Sequence, residues 1–391
     1  MDRFDNAYDF VKVRQPERPV FGLRPHAAGR AATWFLDNFP GEVAYAYKAN
    51  SSVFLLGALY GAGIHSFDVA SLPELQDAAT IPRACLNYMH PVKPRTSIRH
   101  AYHEFGVKRF ALDSQDELEK ILDETGCAND LQLFVRLKVP SINSKIPLDR
   151  KFGISADKAP QLLMRTRQHC DKLGICFHVG SQTISPHAFE MAFSTLRKTI
   201  INAGVVVDGV DVGGGFPACY SHSRPSELSD FISVIKKNFE DLPVSNDCNL
   251  ICEPGRALVA EAESLIVRVD ARRGQELFIT DGSYGALFDA AHLKFQFPIR
   301  LIGCEQFSIK DHTCFSLWGP TCDSIDYIEG PFLLPDCVRE GDYLEIGNIG
   351  AYGRAIASKF NGYGHYDEVI LYDSPMHTMY PKSTIPIVQS V

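Results

Sequence analysis

Lys48 stands at the end of the alternating apolar run Val43-Ala44-Tyr45-Ala46-Tyr47 and is followed at once by Ala49-Asn50. Such a run reads as a half-buried strand, and a lysine at its carboxyl end is a poor surface residue but a good imine former. A second chemical feature is Gly213-Gly214-Gly215, a backbone that can approach an anion closely and present several N–H groups. Gly255-Arg256 can assist there, and Glu253 adds a carboxylate just before them. A phosphorylated aldehyde held by those glycines and joined to Lys48, with Glu253 against a pyridine nitrogen, is the constellation of pyridoxal phosphate. An ionised carboxylate at that nitrogen favours the pyridinium and makes the ring an electron sink, which helps a carbanion form at Cα.

Other residues fit around this nucleus, each with a plainer alternative. His178 has a flat ring that can lie over a cofactor face, although a single histidine is more often a core residue donating to a carbonyl. Ser181 can offer its hydroxyl to a phosphate or simply cap a turn. Asp68 and Arg136 can orient Lys48 and the cofactor hydroxyl or the substrate, or form a buried ion pair that holds the fold. For Glu253 the alternative is a salt bridge with Arg256. In Trp318-Gly319-Pro320-Thr321-Cys322-Asp323, Cys322 suits a proton donor and Asp323 an anion for a cationic substrate, against the usual buried free cysteine. Tyr352, in Gly350-Ala351-Tyr352-Gly353, can reach a phosphate from the start of a short helix or merely cap a core.

These residues need a scaffold that brings strand ends together. Eight apolar runs recur: those ending at Lys48, Asp68, Tyr88, Asp113, Arg136, His178, Gly213 and Glu253. Between them Ser71 to Thr80, Ser114 to Glu124, Ala156 to Leu173 and Pro186 to Ala203 have amphipathic helical spacing. Strand and helix alternating eight times, with polar chemistry at the strand ends, predicts a (β/α)₈ TIM barrel, which often binds phosphate after strands seven and eight. From about Ala262 the pattern changes to β-type runs (Ser264 to Val269, Glu276 to Thr280, Pro298 to Ile302, Thr313 to Leu317, Asp342 to Ile346, Glu368 to Tyr372) without regular helical spacers. This predicts a mainly antiparallel β domain. The division is residues 24–262 for the barrel and 1–23 with 263–391 for the β domain. One short helix is expected from Gly353 to Phe360, stopped by Asn361-Gly362.

With 391 residues, 45% hydrophobic and 22% charged, the chain suits a globular protein of two domains. A net charge of -8 without a basic run argues against a nucleic-acid partner. Nothing near 18 consecutive apolar residues appears and the start lacks a secretory pattern, so neither a membrane span nor export is expected and the location read is cytoplasmic. The 11 cysteines are odd in number and scattered through apolar runs, which predicts reduced thiols. Cys248 and Cys252 lack a second ligand pair, so no metal site is expected.

The ordered motifs AYAYKAN at Lys48, FDVAS at Asp68, KFG at Lys151, HVGSQ at His178, DVGGGFP at Gly213, EPGR at Glu253, DGSYG at Asp281 to Gly285, GPTCD at Cys322, and GAY with FNGY after Tyr352 run nearly the whole length. On them the chain resembles the fold-type III pyridoxal-phosphate decarboxylases of the ornithine and diaminopimelate group. The resemblance implies an alanine-racemase-like barrel with a β domain, and a head-to-tail homodimer in which Cys322 and Asp323 of one subunit complete the site of the other. GPTCD and FNGY look like the ornithine branch, where Asp323 suits a distal ammonium; the diaminopimelate branch usually carries Cys-Glu-Ser. The segment after Gly285 looks more like bacterial members, with Asp289 the candidate second acid and Tyr284 beside the substrate. The implied reaction is decarboxylation of a basic L-amino acid, ornithine to putrescine or lysine to cadaverine. Four alternatives stand beside it: an unusual or carrier-bound amino acid, diaminopimelate, a racemase, and a non-catalytic binding homologue. Glu253 counts against the racemase, and retention of the cofactor residues counts against the binding homologue.

Overall fold

Eight parallel strands close on themselves in the computed structural model, which describes residues 1–303 and 311–381. They are Glu42–Ala46, Ser66–Val69, Cys85–Tyr88, Arg109–Leu112, Gln132–Arg136, Lys172–Cys176, Gly209–Asp211 and Asn249–Cys252, and the last pairs with the first. Each apolar run read from the sequence supplies one of them. Both faces of these strands are covered, which is why they read as near-continuous apolar runs.

The inside of the barrel is filled by side chains. Ala44, Met89, Ala111, Phe134, Cys176 and Ile251 form its own buried cluster. Phe134 takes the space left by two glycines on the next strands: a Cβ on Gly174 would lie 2.3 Å from its ring, and one on Gly209 2.9 Å from it. At the amino-terminal end Arg109 grips Glu42 with two hydrogen bonds of 2.9 and 3.0 Å. Ser66 donates to the same carboxylate, and Asn87 donates to Ser66. One end of the barrel is thus sealed, which leaves the carboxyl end for chemistry.

The connecting helices are set by local signals. Ser71 and Ser114 accept from the N–H groups of Glu74 and Glu117, capping helices Leu72–Ala78 and Gln115–Thr125, and Gly126 ends the second at φ 65. The helix expected over 156–173 is shorter, Ala159–Arg167, because Lys172–Cys176 is drawn into the barrel, with Leu173 opposite Leu133.

Of the remaining described strands, two (Ser144–Ile146 and Ser181–Thr183) pair with each other, and the other nine form one sheet that includes Arg3–Phe4 and Val20–Leu23. Five of its pairings are antiparallel and three parallel. Residues 304–310 and 382–391, assigned to this domain from the sequence, lie outside the described residues. The strand Tyr327–Pro335 was not legible, because Gly330-Pro331 reads as a turn; a shift in register opposite Phe315 and Leu317 absorbs the pair. The helix expected over 353–360 is only Gly353–Ile356, followed by a 3₁₀ turn at Phe360–Gly362. Ser358 donates through its N–H (2.8 Å) and hydroxyl (3.0 Å) to the carbonyl of Tyr284, which pulls the chain out of helical geometry.

Buried polar residues join the two parts. Arg24, 2% exposed, reaches Glu345, Asp373 and Ser264 of the sheet side. Asn50, just after the first barrel strand, donates to the carbonyl of Gly350 at 2.7 Å. No helix of the described residues is long and apolar enough to cross a membrane.

Gly174→Ala should cost about 1–3 kcal/mol, because Phe134 has no room to give inside a closed barrel. Chemical denaturation checks this, and unchanged stability would contradict the packing described.

Candidate active site

The first barrel strand ends at Ala46, and Tyr47-Lys48-Ala49 form a single 3₁₀ turn. The strand was expected to run on to Lys48; the turn instead swings the side chain out of the ladder and into a cavity of roughly 320 Å³ at the carboxyl end of the barrel. Two bonds fix the turn. Tyr45 donates to the carbonyl of Asn50 at 2.8 Å, and the N–H of Tyr352 donates to the carbonyl of Ala49 at 2.8 Å. The second bond carries Tyr352, from the sheet domain, to the rim of the same cavity.

Lys48 Nζ lies 3.0 Å from Asp68 Oδ2. Strand register requires this proximity, since Ala46 is paired with Asp68. Burial works to lower the pKa of the amine, but Asp68, Tyr352 and Glu253 outweigh it and the net shift is upward. Asp68 is 3% exposed, and the alternative of an Asp68–Arg136 ion pair is not formed. Arg136 instead lies over the Phe152 ring at 5.5 Å and faces the cavity.

His178 follows the sixth strand. Its Nδ1 accepts the N–H of Gly180 at 3.1 Å, which leaves Nε2 to carry the proton. Burial, with Arg136 and Lys48 nearby, holds its pKa well below the usual histidine range, so the ring is neutral at physiological pH. Ser181 begins a short strand, Ser181–Thr183, paired antiparallel with Ser144–Ile146 over the barrel mouth. Glu253, after strand eight, has its pKa raised well above the carboxylate range by burial, then by the charges of Asp211 and Asp68.

The glycine triplet is demanded by close approach of three loops. A Cβ on Gly213 would lie 2.3 Å from the carbonyl of Phe177, one on Gly214 2.8 Å from that of Glu253, and one on Gly215 2.6 Å from that of Gly180. Gly213 and Gly215 have φ of 65 and 104, which favours glycine as well. Of the several N–H groups expected to be presented to an anion, that of Gly213 is taken up by Asp211 Oδ1 at 2.8 Å. Among the described residues those of Gly214 and Gly215 have no acceptor.

Gly255 packs with a would-be Cβ 3.0 Å from Ala49, behind the lysine turn. Arg256 makes no bridge to Glu253. It is 3% exposed, donates to Tyr220 at 2.9 Å and lies 3.4 Å from Asp289, with its guanidinium 5.0 Å from the Tyr352 ring. Its Nε is buried without a partner. Asp289 is therefore committed to Arg256 in the single chain and does not line the cavity.

Cys322, Asp323 and Tyr284 are not brought to Lys48 within one chain. They form a second cluster with exposed Phe360 and Asn361. The Tyr284 hydroxyl donates to Asp323 Oδ2 at 2.6 Å, its ring stacks on Phe360 at 4.6 Å, and Cys322 Sγ lies 3.3 Å from Asn361 Oδ1. That hydrogen bond is the main cause that lowers the Asp323 pKa and pushes Tyr284 up to about 12.

The sequence reading gives no role to the cavity residues His90 and Arg150, and Phe152 enters it only as part of the KFG motif. They sit in loops after strands three and five, where no periodic signal marks them. It also missed Asp211, which ends strand seven; the acid was legible as a break in an apolar run, but the glycines beside it drew the assignment.

An aldehyde-bearing pyridine phosphate fits this donor set: an amine, a carboxyl group, a flat neutral ring, unpaired glycine N–H groups and an unpaired buried guanidinium nitrogen. Comparison with known proteins gives the same answer. Residues 28–260 match the pyridoxal-binding domain of the pyridoxal-dependent decarboxylases. A lysine/ornithine decarboxylase of Selenomonas ruminantium is 30% identical, covering 96% of this chain and 89% of its own. Antizyme inhibitor 2 of Xenopus laevis is 32% identical over 88% of this chain and 77% of its own. A crystal structure of lysine/ornithine decarboxylase from Vibrio vulnificus complexed with cadaverine superposes with a TM-score of 0.80 at 26% identity, over 93% of this chain and 96% of that one. The chain belongs to the family of pyridoxal-dependent decarboxylases.

Asp68→Asn should lower the Lys48 pKa by removing its strongest anionic neighbour. Each unit of downward shift raises the neutral amine fraction about tenfold at pH below that value. Labelling of Lys48 in the cofactor-free protein by an amine-selective reagent, followed by peptide mass, should therefore accelerate; an unchanged rate would contradict this.

Proposed function

We propose that this protein decarboxylates a basic L-amino acid, L-ornithine to putrescine or L-lysine to cadaverine. The observation that carries the reading is the convergence of Lys48, Asp68, His178, Glu253 and Tyr352 on one cavity at the carboxyl mouth of the barrel. When bound, pyridoxal phosphate supplies an aldehyde for amine capture and a ring that takes up the electrons left when CO₂ departs. Lys48 would hold the aldehyde carbon and yield it to the amine of the substrate, with Asp68 receiving the displaced ammonium afterwards. His178, neutral, would cover one ring face without competing for a proton. Glu253 would meet the ring nitrogen. Ser181, Tyr352, the N–H groups of Gly214 and Gly215, and Arg256 would hold the phosphate, while Arg136 is free for the ring hydroxyl or the substrate.

The second cluster supports a shared site. Cys322, Asp323, Tyr284 and Phe360 are gathered on the surface of the sheet domain rather than at the cavity, which suits their delivery by a second copy in a homodimer. There Asp323, kept ionised by Tyr284, would take the distal ammonium and Cys322 would give the proton to Cα. Asp289 would reach substrate only if Arg256 exchanged it for the phosphate. The barrel at 24–262, the β domain at 1–23 and 263–391, and a cytoplasmic location belong to the same reading. One methylene is worth only about 1–3 kcal/mol in a pocket, so ornithine and lysine are kept together.

Likeness to an antizyme inhibitor raises a reading without catalysis. Against it stands the intact Lys48–Asp68 contact inside an open cavity.

Lys48→Ala should abolish the visible absorbance of bound cofactor and CO₂ release from ornithine or lysine together; full turnover without this amine would overturn the scheme. Refolding Lys48→Ala together with Cys322→Ala should restore roughly a quarter of wild-type activity, since random pairing makes half of the dimers mixed and each carries one intact site. No recovery would contradict a site shared between copies.

A further inference from the structure

The buried acid behind Glu253 has no role in the mechanism above. Asp211 ends the seventh barrel strand and is 1% exposed. It makes no salt bridge among the described residues. Its Oδ1 accepts the N–H of Gly213, and the carbonyl of Gly213 accepts the N–H of Glu253 at 2.9 Å. Gly213 therefore ties down both acids, and with Asp211 opposite Ile251 in the strand pairing, Glu253 stands diagonally beside it, within hydrogen-bonding reach of its carboxyl group. Two carboxylates cannot bond to each other, since each only accepts; for that bond one of the pair must carry a proton.

The surroundings agree. Arg109 is the cation acting on Asp211, but its guanidinium is already paired with Glu42. Asp68 adds negative charge to both acids, and Lys48 acts on Glu253. On the flanking strands the buried thiols of Cys176 and Cys252 lie near the pair, with Arg136 acting on the first and Glu42 on the second. Burial pushes the Asp211 carboxyl up to about 7.

Resting on the reading of Glu253 as the partner of the ring nitrogen, we infer that Asp211 is a positioning residue that shares a single proton with Glu253, so that the two acids work as a monoanion. The proton stays within the pair. Were a bound ring to donate from its nitrogen to Glu253, the shared proton would rest on Asp211, and Glu253 would be the ionised member of the pair. The arrangement supplies one negative charge to the cofactor side without leaving two bare carboxylates in the barrel.

The test uses the full chain, free of cofactor, near neutral pH. In infrared difference spectra, Asp211→Asn and Glu253→Gln should each lose one protonated carboxylic carbonyl band relative to wild type. Asparagine keeps an oxygen for the N–H of Gly213, so the loop survives. Asp211→Asn should also flatten the pH dependence of stability. The folded pair holds its proton more tightly than the unfolded chain, so wild type loses stability as pH rises from about 4 to 7, and the variant should lose less. In the loaded enzyme, Asp211→Asn should shift the acidic limb of the kcat profile while leaving KM within about twofold. Flat difference spectra in both variants, or wild-type pH dependence in Asp211→Asn, overturn the shared proton. Failure of wild type to take up pyridoxal phosphate would instead overturn the functional reading and leave the carbonyl bands as predicted.

Discussion

The parallel register of the first two barrel strands sets everything that follows. With Ala46 opposite Asp68, the lysine two residues further on has an acid within 3.0 Å, and the 3₁₀ turn presents both to the cavity. A slip by one residue would turn the side chains of the second strand over and send Asp68 to the outer face. The sealed floor of the barrel, with Phe134 inside and the Arg109–Glu42 pair below, helps to keep that register. The sheet domain contributes through Tyr352, whose N–H is tied to Ala49 in the same turn.

Electrostatics at the mouth are balanced within a small space. Three acids, Asp68, Asp211 and Glu253, stand against Lys48 and Arg136, and the ring of His178 stays neutral between them. Removing ionised groups from water is costly unless each is paired. The cavity meets this by pairing Lys48 with Asp68 and by holding the remaining two acids side by side through Gly213, where one shared proton would leave a single charge. Arg256 follows the same rule farther back, packed between Tyr220, Phe295 and Tyr352 with Asp289 as its counter-ion.

The barrel was legible because its strands are buried on both faces and end in polar residues, so each run announces itself and its chemistry together. Seven of the residues singled out (Lys48, Asp68, Arg136, His178, Ser181, Glu253 and Tyr352) line the one cavity. What could not be read is long-range pairing. Nothing local indicates that Asp289 answers Arg256, that Gly213 spends its N–H on Asp211, or that Ser358 breaks a helix by binding Tyr284. The strand Tyr327–Pro335 was hidden by its own Gly330-Pro331. Loop residues such as His90 and Phe152 reach the cavity through turns that no periodicity encodes.

The ε-amine at the end of the first barrel strand is the proposed point of covalent attachment for a B6 aldehyde. The most direct measurement is to incubate the purified protein with pyridoxal phosphate, reduce with borohydride and map the modified peptide by mass. The reduced pyridoxyl phosphate mass is expected on Lys48 in stoichiometric yield. A label on another lysine, or none at all, would contradict it.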